Sequence, residues 1–501
     1  MNITDPIWRN CLAFPERTAF LFEGHPITYG QLQQTAYLVS SRLAKSGIKQ
    51  GDVVALGLQS PAAYIAALLG AVRLGATVTS YVEAWPPDRK INLLRRNGVQ
   101  LLVQAEEDTW RANGEGWAYL NAEELFRAES GAKVKVAPLA DKVDRDPWLI
   151  ALSSGTTGIP KSIAITHRRG NLDMALNYRG GDRVLVFSSL VITVGLTVVL
   201  RALVHGTTAV ITMDLSPENF FKTAERDKPT RVFTTTGLVA RILADAEERK
   251  IKAMDACQSI SVIQVAGGIV PPGLRMAIKK HICNQIEVDY GATETAALAL
   301  LTTDDANIRP SAHGRLYPWV QGQAVDDKGM ALPPGREGLL RFRTPLVTDG
   351  YFKDEAATPK AFREGWYLPG DRGLVDAAGY LYLTGRADHV LNIGGVKINA
   401  ERIEDVVNSH PSVLESAVVA VPKSPDEVPV LFAVIVPAGE FQTSIITEIK
   451  RLCGERLGRN YGGINILVAK SLPKNDGGKI MRGALAASIR FRRDDSASGA
   501  S

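Results

Sequence analysis

The run Ser153-Ser154-Gly155-Thr156-Thr157-Gly158-Ile159-Pro160-Lys161 gathers hydroxyls, glycines and a closing lysine within one short stretch. Glycine lets the backbone bend tightly enough for successive N–H groups to converge on one anion, and Ser153, Ser154, Thr156 and Thr157 add hydroxyl donors. Lys161 contributes a compact positive charge, which suits phosphate as a point charge. The guest that fits such a donor set is a polyphosphate. The spacing is not that of a Walker A loop, whose Gly-Lys-Ser/Thr ending feeds a helix. Residues 148–152 before the run and 162–166 after it both read as short strands. The loop is therefore expected at a hairpin-like bend, holding phosphate with backbone and hydroxyls rather than with a helix end. An ordinary surface turn has the same Gly/Ser/Thr composition, so composition alone leaves both readings open.

The elements that must position this loop follow from periodicity. Residues 28–32 open a helical pattern that runs to 43, residues 52–58 read as a buried strand, and Ser60-Pro61 supplies an N-cap with proline at the first helical position. Another strand at 76–81 completes a βαβ unit, which argues for a parallel sheet covered by helices. The pattern recurs beyond the loop, with strands at 183–187 and 208–212 around a helix at 195–203, and strands at 231–234 and 261–265 around a helix at 238–248. From 314 to about 384 the texture changes to short strands and turns, a β-rich subdomain. From 385 onward strands at 417–421 and 430–437 and a helix at 443–456 form a compact last unit, and the tail after Arg493 reads as disordered.

A chain of 501 residues with 45% hydrophobic and 22% charged residues has the composition of a globular protein with a sizeable core. The net charge of +5 is spread over interspersed acidic and basic residues, without the basic stripe that nucleic-acid binders carry. Cys11, Cys257, Cys283 and Cys453 are scattered, with no CxxC or Cys/His cluster, so neither a disulfide framework nor a zinc site is indicated. Residues 1–6 lack the regions of a signal peptide, and the apolar stretches at 62–74 and 191–204 are interrupted by Arg73 and Arg201. The expectation is a cytoplasmic protein with no nucleic-acid partner and no membrane span.

Four further stretches bear on the chemistry. They are Tyr290-Gly291-Ala292-Thr293-Glu294, Gly370-Asp371-Arg372-Gly373, the run from Gly385 through Arg386, Asp388 and Gly394-Gly395 to Ile398, and the run from Leu472 through Gly477-Gly478-Lys479 to Arg482. In this order, together with the Ser153 loop, they closely resemble the adenylate-forming superfamily of acyl-CoA synthetases, peptide-synthetase adenylation domains and luciferases. The resemblance covers essentially the whole chain. It implies an α/β fold: a large N-terminal domain of layered sheets with a small β-rich subdomain, residues 1–387, and a small mobile α+β C-terminal domain, residues 388–501.

The resemblance also implies a reaction, in which a carboxylate attacks the α-phosphate of ATP to give an acyl-adenylate and pyrophosphate. Charge grows on the α-phosphate oxygens, so the site needs fixed cations and donors there. By resemblance Lys479 is the catalytic lysine, Thr293 donates to the α-phosphate, and Glu294 with Thr156 holds Mg²⁺. Gly155, Gly158 and the rest of the loop to Lys161 cradle the phosphates. Tyr290 and Gly291 lie against adenine, Gly267-Gly268 let the backbone approach it, Asp371 accepts the ribose hydroxyls, and Arg386 contacts ribose or phosphate. Asp388 sits at the hinge about which the small domain swings, and Gly395 lines a pantetheine tunnel. Each has a plainer reading: Lys479 as a solvated lysine, Tyr290 as core, Glu294 as a charge at a helix start, Asp371 as a turn cap, Gly394-Gly395 as a simple turn.

This sequence departs from the family's pattern in places. Ile192 stands where many acyl and aryl CoA ligases carry a gating histidine, Thr235-Thr236-Gly237 replaces a Val-Pro pair, and Ser162 replaces the glycine after the loop lysine. No aspartate stands where amino-acid-activating relatives hold the substrate ammonium. Val191, Ile192, Val194, Thr236, Gly237, Ile269 and Ala296 are expected to line an apolar acyl pocket suited to an aryl, alicyclic or medium aliphatic acid. Ordinary core packing is the competing account of each. The expected activity is ATP- and Mg²⁺-dependent acid–thiol ligation with CoA as acceptor. The alternative sends the acyl group to an amine or to a carrier-protein thiol.

Overall fold

The computed structural model describes residues 1–105, 116–127, 140, 143–153, 161–175, 182–191, 193–248, 253–270, 272–387, 390–393, 396–421, 430–439, 441–457, 464–474 and 480–497. The chain forms two compact units: Met1–Thr234 with Ala292–Ala296 and Pro345–Phe362, and Thr235–Gly291 with Ala297–Thr344 and Arg363–Ser501. It is a mixed α/β protein with several sheets, as the sequence implies. No helix among the described residues is long and apolar enough to cross a membrane.

In the first unit Val53–Gly57 lies between Thr77–Thr79 and Leu101–Gln104 and runs parallel to both. The connecting helix Pro61–Arg73 starts where Ser60 Oγ accepts from the Ala63 amide, with proline in the first turn, because proline has no N–H to leave unpaired there. Helix Tyr29–Lys45 is closed at its start by a capping box, Thr28 Oγ1 accepting from Gln31 N at 3.2 Å and Gln31 Oε1 from Thr28 N at 2.9 Å. Strand Pro147–Leu152 joins Thr77–Thr79 in parallel, then pairs antiparallel with Ser162–Thr166. The expected hairpin is thus present, and the parallel sheet ends in it.

The other strands of this unit run in the order Arg231–Thr235, Arg183–Phe187, Thr208–Ile211, Thr18–Phe22, His25–Thr28, parallel except for the last pair. Such strands read as continuous apolar runs because helices cover both faces. Phe187 ends one of them fully buried, with its ring 5.2 Å from that of Phe220 and at 80° to it.

In the second unit Val262–Ala266 and Gln285–Ala292 are parallel, and Ala296–Leu301 pairs antiparallel with Arg315–Leu316. The β-rich stretch is an antiparallel sheet in which Gly338–Arg343 pairs with Gln321–Val325, Trp366–Tyr367 and Asp371–Val375, and Asp371–Val375 pairs with Leu381–Arg386. Leu340, Phe342 and Leu381 form its buried face. Further on, Val413–Val421 pairs with Val430–Pro437, which runs parallel to Asn465–Val468. Alternation along a strand sends neighbouring side chains to opposite faces. Val418 accordingly packs with Ile403 and Ile449 from helices Ala400–Asn408 and Ser444–Leu457, whereas Ala417 and Val419 pack with Leu485 and Ile489 from Arg482–Ala497. That last helix runs to Ala497 and so corrects the expected disorder for residues 494–497, while 498–501 lie outside the described residues. Residues 482–492 are rich in Ala and Arg, strong helix formers, and Asp and Ser near a helix end cost little.

Phe187→Ala should lower the stability of the unit that contains it by about 3–5 kcal/mol, because a large buried ring leaves a cavity that its neighbours only partly refill. The check is the urea midpoint followed by circular dichroism. An unmoved midpoint would contradict the packing of Phe187 against Phe220.

Candidate active site

The hairpin formed by Pro147–Leu152 and Ser162–Thr166 has a closed neck. Leu152 pairs with Ser162, and the Ser153 amide donates to the Lys161 carbonyl at 2.9 Å. Ser153 is buried and Lys161 half-buried at the two sides of this neck. Ser154, Gly155, Thr156, Thr157 and Gly158 lie outside the described residues, as do Ile192, Asp388, Gly395 and Lys479.

Lys161 Nζ stands 4.2 Å from the ring centroid of Tyr351, a cation–π arrangement. The hydroxyl of the same tyrosine donates to Glu294 Oε1 at 3.1 Å. One aromatic side chain thus touches both the loop lysine and the carboxylate of the Thr293-Glu294 pair. Glu294 is only 6% exposed, and burying a carboxylate costs heavily unless donors surround it. The Thr348 amide donates to the Glu294 carbonyl at 2.9 Å, and the Thr295 amide to Ala292 O at 3.0 Å. Arg169 Nη2 donates to the Thr293 carbonyl at 2.5 Å. Glu294 lies in this turn between strands Gln285–Ala292 and Ala296–Leu301 rather than at a helix start.

Arg169, Thr348 and Tyr351 are absent from the sequence-derived site. Arg169 is 7% exposed, and burial pushes its guanidinium down to about 10 while the charges of Asp173 and Glu294 pull it back up. It comes from helix His167–Met174, whose N-cap Thr166 accepts from the Arg169 amide at 3.3 Å. The signal that could have found it is an arginine placed just after the second strand of the hairpin, on a helix that begins at once.

The second unit assembles another group. Asp371 and Arg386 face each other on neighbouring antiparallel strands. Arg386 Nη1 donates to Asp371 Oδ1 at 3.1 Å and to the Pro369 carbonyl at 3.0 Å, and the Tyr290 hydroxyl donates to Asp371 Oδ2 at 2.5 Å. Burial, followed by the nearby Asp371 charge, holds the Tyr290 phenol well above its usual range, so it remains a donor. Its ring is 5.8 Å from that of Phe342, so the plainer reading of Tyr290 as core also holds. Tyr290 and Gly291 belong to the strand itself, which runs on to Ala292. Gly267 adopts a left-handed φ of +86°, and a Cβ on Gly268 would come within 3.2 Å of Thr236 Oγ1. Thr236 and Gly237 open helix Thr236–Glu248 in the same unit, and Ile269 is 37% exposed.

In the first unit Val191 lines a small cavity with Leu190, Thr193 and Leu196, opposite the buried pair Tyr64 and Ser80, whose hydroxyls are 2.9 Å apart. Val194 lies in the first turn of helix Thr193–Val204, and Ala296 takes a left-handed φ of +56° at the start of its strand.

The donor set fits one kind of metal. Among the described residues no group of three His, Cys, Asp or Glu side chains could hold an ion, which leaves Glu294 as a single carboxylate. Mg²⁺ is commonly held that way, by one or two carboxylates with water and substrate phosphate supplying the remaining oxygens.

The described geometry is that of a hairpin neck beside a braced carboxylate. A model for AMP-binding enzymes matches residues 7–352, and the model for their C-terminal domain matches residues 402–479. This chain belongs to the AMP-binding enzyme family. It is 28% identical to a 2-succinylbenzoate–CoA ligase of Bacillus mycoides (strain KBAB4), over 96% of this chain and 98% of that one. In fold it is similar to an anthranilate CoA ligase in complex with anthranoyl-AMP, with TM-score 0.86 at 24% identity over 97% of each chain. An amide bond synthetase from Marinactinospora thermotolerans gives TM-score 0.84 at 22% identity over 97% of this chain and 99% of that one.

His167, which follows the hairpin, is fully buried and accepts the Ile3 amide on Nδ1 at 3.0 Å. Burial pushes its imidazole down to about 4, against the opposing pull of Asp146. The unfolded chain, with an ordinary value near 6.5, binds the proton first, so stability is full above about pH 6.5 and falls towards pH 4. His167 alone should cost about 2 kcal/mol between pH 7 and pH 5. His167→Gln, whose amide oxygen can still accept from Ile3, should flatten the urea midpoint against pH. A variant with the wild-type slope would contradict this.

Proposed function

We propose that this enzyme activates a carboxylic acid with ATP as an acyl-adenylate and passes the acyl group to the thiol of CoA. The observation that carries the reading is the placement of Lys161 and Glu294 on one tyrosine at the neck of the hydroxyl-rich loop. A polyphosphate needs a cation, and a metal that accompanies it needs a carboxylate, held in fixed relation.

In this reading the loop from Ser153 to Lys161 cradles the phosphates and Thr293 donates to the α-phosphate. Asp371, steadied by Arg386 and Tyr290, accepts the ribose hydroxyls, and Gly267-Gly268 leave room for adenine. Magnesium, when bound, is held by Glu294 and Thr156 and neutralises phosphate charge. A substrate carboxylate oxygen attacks the α-phosphorus, the bond to the β-phosphate breaks and pyrophosphate leaves. Lys479, at the last residue of the C-terminal family match, bridges the carboxylate and α-phosphate as charge develops. Residues 388–501 then turn about Asp388, and Gly395 presents the thiol, which attacks the acyl carbonyl and expels AMP. The apolar side chains Val191, Ile192, Val194 and Ile269, with Thr236, Gly237 and Ala296, favour an aryl or alicyclic acid. The relatives that ligate 2-succinylbenzoate and anthranilate to CoA support that class.

One observation favours a second reading. Ile192 replaces the gating histidine, and the fold is also that of an amide bond synthetase. In that reading the same adenylate is intercepted by an amine.

Product analysis by mass spectrometry separates the two. With ATP, Mg²⁺ and a panel of aryl and alicyclic acids, an acyl-CoA product is expected, and an amide formed in preference to a thioester would overturn the first reading in favour of the second. Lys479→Ala should abolish ATP–pyrophosphate exchange while nucleotide still binds, and near-normal exchange would remove its assigned role. Tyr351→Phe, which deletes a hydrogen bond to a carboxylate, should lower kcat/KM for exchange about 10- to 100-fold. Unchanged exchange would show that Tyr351 does not position Glu294.

A further inference from the structure

Arg169 is a cation with 7% of its surface exposed. Its Nη2 holds the Thr293 carbonyl, and its Nη1 is enclosed without a hydrogen-bond partner among the described residues. A guanidinium has five donors and cannot shed its charge in a protein, so its compensation is electrostatic. The carboxylates whose charge reaches it are Asp173, one turn further along its own helix, and Glu294. Asp173 in turn pairs with Arg201 of helix Thr193–Val204, at 3.1 Å. The order Glu294, Arg169, Asp173, Arg201 alternates in sign through the interior of the first unit.

We propose that Arg169 is a positioning residue that makes divalent-metal binding at Glu294 conditional on the polyphosphate. The inference rests on the reading of Glu294 as the metal's carboxylate. A buried cation beside a single carboxylate offsets that charge and repels a second cation, so a bare divalent ion gains little there. A polyphosphate brings several negative charges and reverses the balance. The same guanidinium, by gripping the Thr293 carbonyl, keeps the turn from shifting as the ion arrives. The metal then enters with the nucleotide rather than ahead of it, which avoids a site filled by free cation.

The test is Mn²⁺ binding followed by electron paramagnetic resonance at pH 8, with and without a non-hydrolysable ATP analogue. The readout is the ratio of the two dissociation constants. Arg169→Gln should bind Mn²⁺ without nucleotide at least about tenfold more tightly than the wild type, so the ratio shrinks. Arg169→Lys, which keeps the charge and loses the planar fork, should retain most of the ratio, an outcome that a purely structural role does not give. Asp173→Asn leaves the Arg169 charge to Glu294 alone and should move the ratio the opposite way, which keeps the test decisive where Arg169→Gln does not fold. Wild-type ratios in Arg169→Gln and Asp173→Asn would overturn the inference. Glu294→Gln separates the two levels. If it still binds Mn²⁺ with the analogue as the wild type does, the metal reading of Glu294 falls and this inference with it. If it loses that binding while the Arg169 and Asp173 variants match the wild type, only the inference falls.

Discussion

Burying a carboxylate beside the neck of a hairpin is the constraint on which the first unit depends. Glu294 cannot rely on water at 6% exposure, and an enclosed charge left without partners destabilises a protein by several kcal/mol. The turn that carries it is therefore held by three residues from two separate segments. Thr348 and Tyr351 come from the stretch Pro345–Phe362, and Arg169 comes from the helix after the hairpin. Each of these contacts lies far from Glu294 in sequence, so the carboxylate is in place only when the unit has folded around it. A charge fixed in this way undergoes little reorganisation when its ligand arrives, which is the usual basis of electrostatic catalysis.

Asp371 in the second unit meets the same requirement by other means. Its side chain is 16% exposed, and strand register rather than a turn delivers its partner. Asp371 and Arg386 are opposed across an antiparallel pair, where the distance between side chains is set by the sheet. Tyr290 completes the arrangement from the strand Gln285–Ala292, and its raised phenol pKa keeps the proton on the tyrosine rather than on the solvent. Sheet strands place both partners of Asp371, whereas Glu294 is held through a turn.

What was legible in the sequence was what local chemistry decides. Strand and helix periodicity, the Thr28 and Ser60 caps and the turn residues are read from neighbours along the chain, and the structure has them where expected. Candidate site residues could be named from the sequence where residue types cluster, as in the loop from Ser153 and the pair Thr293-Glu294. Tyr351 and Arg169 were not legible, since a tyrosine 57 residues from Glu294 and an arginine 124 residues from Thr293 carry no local sign of that contact. The final helix was missed for the opposite reason. The polar composition of its last turn outweighed the helix-forming residues before it, although helical propensity sums over the whole segment.

Ser162 shows how a departure from the family's pattern is absorbed. A serine in place of glycine beside the loop lysine puts a hydroxyl into a position that is 2% exposed, and such a hydroxyl requires partners. Its Oγ donates to Asn97 Oδ1 at 2.8 Å and accepts from Arg96 Nη2 at 3.0 Å. Both partners stand at the end of helix Pro87–Asn97, which stops at Gly98 in the left-handed conformation, with φ +71°. The left-handed φ favours a residue without a Cβ at that cap. The Ser162 carbonyl also accepts from the Phe352 amide at 2.7 Å, next to Tyr351. The Ser162 hydroxyl therefore ties the hairpin neck to that helix, while the carbonyl contact to Phe352 is one that glycine would also make. At Thr235-Thr236-Gly237 the outcome is mixed: Thr235 Oγ1 accepts from the Leu238 amide at 3.4 Å, whereas Thr236 Oγ1 is buried without a hydrogen-bond partner among the described residues.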